Sequence, residues 1–226
     1  MNYLRAVATI AGKDLRVEMR QRENLTLMLF FACVILLIFY FALDLGEVRF
    51  ETVGSGVIWV SIHFTGSLAL SHSFRQEREQ DSLRGLRLAP VDAGSIYLGK
   101  FLANSAVLFL LEAVLVPLIG FALNVPLAAA AGPLVLLLVL HTVGFSALGT
   151  LFAAISAQTR RGETLFPLLV FPVEIPLIIS AVRSTTAILG GGTLGDVARW
   201  VQLAIAFDLV ILAAAMILFD HVLEES

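Results

Sequence analysis

The sequence predicts an all-α integral membrane protein with six transmembrane helices, an N-terminal amphipathic interfacial helix and both termini in the cytoplasm. Three observations carry this. The 226 residues are 58% hydrophobic and only 15% charged, with a mean hydropathy of +0.91, whereas a soluble domain carries about 25% charged residues. Six apolar runs, 25–43, 53–73, 101–123, 130–155, 165–183 and 199–219, are near the roughly 20 residues that a helix needs to cross a bilayer core of about 30 Å. Twelve of the fifteen Lys and Arg residues fall in segments on one side of those runs, and only Arg49, Arg183 and Arg199 fall on the other. By the positive-inside rule the first side is cytoplasmic.

The elements follow in order. Residues 1–24 place Leu4, Val7, Ala8, Ala11, Leu15 and Met19 at helical spacing, with Arg5, Lys13, Arg16 and Arg20 largely off that stripe. Such a helix lies in the interface plane with its basic residues toward lipid headgroups. The segment has no signal-peptide pattern, so the first span is expected to remain in the mature chain. After the second span comes "FRQEREQDSLRGLRLAP" (74–90), in which Arg75, Arg78, Arg84 and Arg87 mix with Glu77, Glu79 and Asp81. Orientation needs positive charge alone. Mixed charge with Leu83, Leu86 and Leu88 interleaved suits a short helix, limited by Pro90, that docks on a protein partner; a solvated loop that only enforces topology is the plainer alternative. Prolines 117, 133, 167, 172 and 176 fall in the later spans, where neighbouring helices can satisfy the freed backbone groups. The connection "STTAILGGGTLGDVA" (184–198) lies on the outer face, as a flexible loop or a re-entrant segment. No soluble domain or repeat is visible, so residues 1–226 read as a single transmembrane domain.

The sequence lacks the G-x-x-x-x-G-K-[ST] phosphate loop, and neither Gly12-Lys13 nor Gly99-Lys100 has its flanking residues. It also lacks C-x-x-C-H, H-E-x-x-H and a nucleophile elbow. The lone Cys33 excludes an internal disulfide. Polar groups inside the spans are the remaining chemistry. Glu112, Glu174 and Asp208 fall near the middles of the third, fifth and sixth spans, where insertion costs about 2.5–3.5 kcal/mol each on the lower scale. They face the bundle interior or a wet cavity, either as functional groups or as protonated acids that bond a neighbouring helix. His63 and His141, in the second and fourth spans, read as hydrogen-bonded packing residues before ligands.

The ordered features resemble the CcmB family, the permease of a haem-export-type ABC transporter in cytochrome c maturation. The resemblance rests on "GVIWV" (56–60), "FRQEREQDSL" (74–83), "LAP" (88–90), Gly99, Lys100 and Asn104, "RRG" (160–162), "FPVEIPLII" (171–179) and "AFDLVILAAAMILFDHVLEE" (206–225). The family's Phe-x-x-Asp pattern is here Phe74-Arg75-Gln76-Glu77, with glutamate for aspartate, and Asp81 stands where glycine is usual. The resemblance implies a multi-pass protein of the bacterial inner membrane that is not itself an enzyme. It implies a homodimer, a CcmA-like subunit that holds ATP, CcmC-like and CcmD-like membrane proteins, and a CcmE-like haem chaperone, without nucleic acid. No cofactor is then bound directly, and haem enters only as cargo. In this reading 74–90 is the coupling element, with Phe74, Arg75, Glu77, Arg78, Asp81, Ser82, Leu83 and Leu86 docking the ATPase, while His63, Glu112, Glu174 and Asp208 form the intramembrane polar set. ATP hydrolysis that works the complex to release haem-loaded chaperone fits better than a haem path through this subunit. The alternatives are a permease of a related ABC exporter for lipid, polysaccharide or drug, a membrane scaffold without nucleotide coupling, and, more weakly, an intramembrane enzyme.

Overall fold

The computed structural model describes residues 3–20, 22–42, 50–74, 92–159 and 162–224. These form α1 (Tyr3–Arg20), α2 (Arg22–Ala42), α3 (Phe50–His72), α4 (Ala93–Ala122), α5 (Ala131–Ala157), α6 (Gly162–Leu189) and α7 (Ala198–Glu224), with a 3-10 turn at Leu127–Ala130 leading into α5. No strand occurs among the described residues.

Five segments are long and apolar enough to cross a membrane: Glu51–His72, Ala93–Ala122, Leu127–Ala157, Leu165–Leu189 and Ala198–Val222. Of the first expected span, 25–43, the described part is the apolar helix Thr26–Ala42 within α2. Seventeen residues reach roughly 25 Å at 1.5 Å per residue.

Local chemistry sets the helix ends. Asp92 caps α4: its Oδ1 accepts from Gly94 N at 2.8 Å, and its carbonyl from Ser95 Oγ at 2.6 Å. α4 closes at Asn124, whose φ of 54° is left-handed, while Val125 N donates to Gly120 O at 2.9 Å. α6 runs further than the sequence indicates. Residues 184–189 were expected in the outer connection, yet the helix continues to Leu189. The hydroxyls of Ser184 and Thr186 bond back to the carbonyls of Ser180 and Val182 at 2.6 and 2.8 Å, so these polar residues are satisfied within the helix. The turn is then made at Gly191, with φ +87°, and a short loop leads into α7.

α5 occupies the centre, packed against α3, α4, α6 and α7. One apolar core, near the 190–197 connection, gathers Trp59, Ile62, Leu111, Leu137 and Ile188. The other, near the opposite ends of the helices, gathers Phe74, Tyr97, Phe145, Phe166 and Phe219. α7 buries a narrow stripe, Ala204, Asp208, Ala215 and Phe219, and exposes Leu209, Val210 and Ile217. A helix with so narrow a buried face suits lipid on its other side.

α1 lies along α4, with a face rotated from the expected one. Ala6 and Val7 are buried, whereas Leu4 and Met19 of the expected stripe are exposed. The inward face carries Val7, Ile10 and Asp14, because α1 is seated on a glycine and on a buried lysine of α4. Arg5, Lys13, Arg16 and Arg20 are exposed.

Candidate functional site

The first assembly of polar groups lies where α1, α3 and α4 meet, at the root of the charged 74–90 stretch. Lys100 was counted as a loop charge in the sequence; the structure places it in the second turn of α4 and 1% exposed. A buried ammonium must be paired. Its Nζ donates to Asp14 Oδ2 of α1 at 3.0 Å and to the Ser73 carbonyl just past α3 at 3.0 Å, and it stands 4.4 Å from the centre of the Phe74 ring. One side chain thus ties three segments together. Asp14 also pairs with Lys13 at 2.8 Å.

The neighbours of Lys100 complete the junction. A Cβ at Gly99 would stand 2.7 Å from Ile10 Cβ and 3.1 Å from the Val7 carbonyl, so α1 and α4 approach closely only because position 99 is glycine. One turn on, Asn104 accepts from Ser73 Oγ at 3.0 Å and donates to Thr150 Oγ1 of α5 at 2.8 Å. Phe74 is fully buried, its ring 6.3 Å from that of Phe219 on α7. Tyr97 OH donates to the Ala147 carbonyl at 3.0 Å. A cavity of about 50 Å³ opens here between Asp14, Glu18, His72, Ser73 and Asn104. Small-molecule sites need roughly 300–1,000 Å³, so a haem does not fit it.

The second assembly is a polar hub around a little more than one turn of α5. Within residues 141–145, α5 meets a polar group of every long helix around it. His141 Nε2 is 3.0 Å from Ser180 Oγ of α6, Thr142 donates to Glu112 Oε1 of α4, and Gly144 faces Asp208 of α7, whose Oδ1 would lie inside a Cβ there. The Phe145 ring lies 4.8 Å from that of His63 on α3. His63 Nε2 in turn stands 3.0 Å from Glu174 Oε1 of α6, without the alignment of a formed hydrogen bond. Trp59, one turn before His63, donates through Nε1 to Thr185 Oγ1 at 2.9 Å. The α3–α6 seam therefore carries a tryptophan, an imidazole and a carboxylate in two turns. The three acids that the sequence singled out are all buried, and each is turned toward another helix rather than lipid.

Of the coupling residues inferred from the sequence, Phe74 is seated as above; Arg75, Glu77, Arg78, Asp81, Ser82, Leu83 and Leu86 lie outside the described residues. Sequence reasoning passed over Asp14, Thr142, Gly144 and Ser180. Thr142 and Gly144 look like ordinary span residues, and nothing local marks them. Lys100 left a signal that could have been read: a lone cation followed at once by an apolar run, with Asn104 one turn further on the same face.

The family model described as "CcmB protein" matches residues 5–226, nearly the whole chain. The chain is 30% identical over 183 residues to heme exporter protein B of Pseudomonas aeruginosa, covering 80% of this chain and 81% of that protein. It is 31% identical over 182 residues to heme exporter protein B of Paracoccus denitrificans, covering 77% and 81% respectively. The protein of that name from Rhodobacter capsulatus is 31% identical over 171 residues, 75% of this chain and 78% of the relative. With the helical bundle, the Gly99-Lys100-Asn104 junction and a match of this extent, the chain belongs to the CcmB protein family.

Proposed function

We propose that this chain is the membrane-spanning subunit of a haem-export ABC complex that serves c-type cytochrome biogenesis, and that it converts ATP hydrolysis in a partner subunit into movement of its own helices. In this reading it is a multi-pass protein of the bacterial inner membrane, with α2 as the sixth span, α1 in the interface plane and both termini in the cytoplasm. Residues 1–226 form one permease domain and 74–90 the coupling segment, with the 184–198 region at the periplasmic face. Two copies pair with two CcmA-like ATP-binding subunits, alongside CcmC-like and CcmD-like proteins. A CcmE-like chaperone leaves loaded with haem. The chain binds no cofactor itself; ATP belongs to the partner, and haem is cargo.

The names of the relatives support the haem-export half of this reading. The coupling half is carried by one observation: the root of the charged stretch is anchored at Lys100 to α1, α3 and α4 together. A push delivered beyond Phe74 reaches all three as a unit, because interiors are close-packed and transmit strain. The missing phosphate loop fits a nucleotide site on another chain.

The test is purification of a C-terminally tagged chain from its native host in mild detergent, beside a Glu77→Arg/Arg78→Glu variant. Co-purification of a P-loop ATPase and haem-handling proteins with the native chain, and loss of the ATPase from the variant, is expected. If the native chain brings down no ATPase while other membrane complexes stay intact, the coupling reading is wrong and a scaffold is the better description.

A further inference from the structure

The proposed coupling leaves open where the bundle gives way when the inner end of α3 is pushed, and the α3–α6 seam answers it. At the start of α3, the contact with α6 is neutral and well formed. Ser55 Oγ lies 2.5 Å from Thr186 Oγ1, and Trp59 Nε1 donates to Thr185 Oγ1 at 2.9 Å. At its end, α3 is fixed to α4 and α5 through Ser73, Asn104 and Thr150. Leu70 also fills the space left by Gly149, where a Cβ would clash with its Cδ1.

The middle of α3 is different. Ser61, Thr65 and Ser67 are buried hydroxyls with no hydrogen-bond partner among the described residues, and neither oxygen of Glu174 accepts a hydrogen bond there. Native interiors rarely leave such groups unmet, and the bare carboxyl of Glu174 calls for an explanation; of the hydroxyls, only Ser67 stands one turn from His63 on its face of α3, Ser61 and Thr65 lying on other faces.

The proton count at His63 supplies one. Its Nδ1 lies 2.7 Å from the Trp59 carbonyl, which can only accept, so Nδ1 carries a hydrogen. Nε2 then faces Glu174 Oε1 at 3.0 Å. An unprotonated imidazole nitrogen beside a bare carboxylate at that distance is repulsive, so the pair holds one proton, on either the imidazole or the carboxyl, although the two atoms are not aligned as a formed hydrogen bond. In both arrangements the pair is net neutral, as an ion pair or as imidazole with carboxylic acid. The titratable groups around it are few: Glu112 of α4, which Thr142 already bonds, and His141 of α5, held to the Leu137 carbonyl and Ser180.

We propose that His63 and Glu174 form a one-proton joint between α3 and α6, closed in this structure and parted when the segment beyond Phe74 is driven. This rests on the coupling reading above. Parting two opposite charges inside a membrane is costly. Parting after the proton has settled on Glu174 leaves a neutral imidazole and a neutral acid, and the unmet hydroxyl of Ser67, one turn on from His63, offers the freed imidazole a new partner. The joint is therefore held when closed and can open without stranding a charge.

Two measurements test this, and the first needs no partner. In the purified chain at neutral pH, Glu174→Gln replaces the shared proton with an amide N–H to Nε2, and is expected to melt within about 2 °C of the native chain. His63→Gln leaves Glu174 facing no imidazole and is expected to melt clearly lower, and to be rescued by adding Glu174→Gln. Equal losses from the two single variants, or a double variant no better than His63→Gln alone, would overturn the proton assignment. The second measurement uses the complex with its ATPase. Spin labels replace Val60 and Val173, which are exposed neighbours of the pair in sequence on α3 and α6, in a Cys33→Ser background. ATP trapping is expected to lengthen the distance between the labels. An unchanged distribution in a complex that hydrolyses ATP would sink the joint and leave the coupling reading standing; a complex that lacks an ATPase would sink the coupling reading and with it the opening of the joint.

Discussion

Replacing Lys100 with methionine isolates the contribution of the junction, because methionine keeps the buried stem and removes only the ammonium. At least three interactions are lost. The charge-assisted hydrogen bond to the Ser73 carbonyl is worth about 1.5–3 kcal/mol. The contact with the Phe74 ring adds about 0.5–2 kcal/mol. The Asp14 pair adds roughly 0–1 kcal/mol, because Asp14 is partly solvated and keeps Lys13. Relief of the ammonium's own burial offsets part of this, leaving about 2–4 kcal/mol. For a chain of 226 residues, at about 2–4 °C per kcal/mol, the melting temperature is expected to fall by roughly 4–16 °C. The assay is thermal unfolding of the detergent-purified chain, followed by tryptophan emission or by loss of the monodisperse peak. Asp14→Asn serves as comparison and is expected to lose less, since Lys100 keeps the carbonyl and the ring. If Lys100→Met melts within about 2 °C of the native chain, or if Asp14→Asn is the worse of the two, Lys100 is not the anchor that the geometry indicates.

Three further outcomes follow from single sites. Gly99→Val pushes a branched side chain into Ile10 and the Val7 carbonyl; overpacking of this kind costs about 1–3 kcal/mol, and α1 is expected to become the first site of limited proteolysis. Thr142→Val removes the hydroxyl that donates to buried Glu112 and is expected to cost about 1–3 kcal/mol, with Thr142→Ser close to native in the same melt. The exposed Asp196 accepts from Thr193 N and Oγ1 at 2.7 and 2.8 Å, and these bonds hold its carboxyl below the ordinary value of 3.8. A depressed folded-state pKa stabilises above the unfolded value and is lost as pH falls through the folded one. Amide protection at Thr193 is therefore expected to be unchanged from neutral pH down to about 4 and to fade only below it; fading already near pH 6 would contradict the assignment.

The sequence by itself determined the class of the molecule, because hydropathy and charge act locally. An apolar run of sufficient length becomes a spanning helix wherever it sits, and this places α3 to α7. It also marked Glu112, Glu174 and Asp208, since an acid among apolar residues is conspicuous whatever its partner. The match in sequence order of "FRQEREQDSL", Gly99-Lys100 and the "AFDLV" ending was enough to point to the family. Composition did not fix the helix limits at 92 and 189, where capping by Asp92 and back-bonding by Ser184 and Thr186 decide. Nor did it fix which face of α1 turns inward, which depends on a glycine and a lysine of another helix. Partners were beyond its reach altogether. Lys100 meets Asp14 across 86 positions of chain, and His63 meets Glu174 only because α3 and α6 pack side by side. A side chain's cost in the membrane can be read from its own chemistry; what offsets that cost is contributed by residues brought near only by the packing of the helices, and that the tertiary structure alone decided.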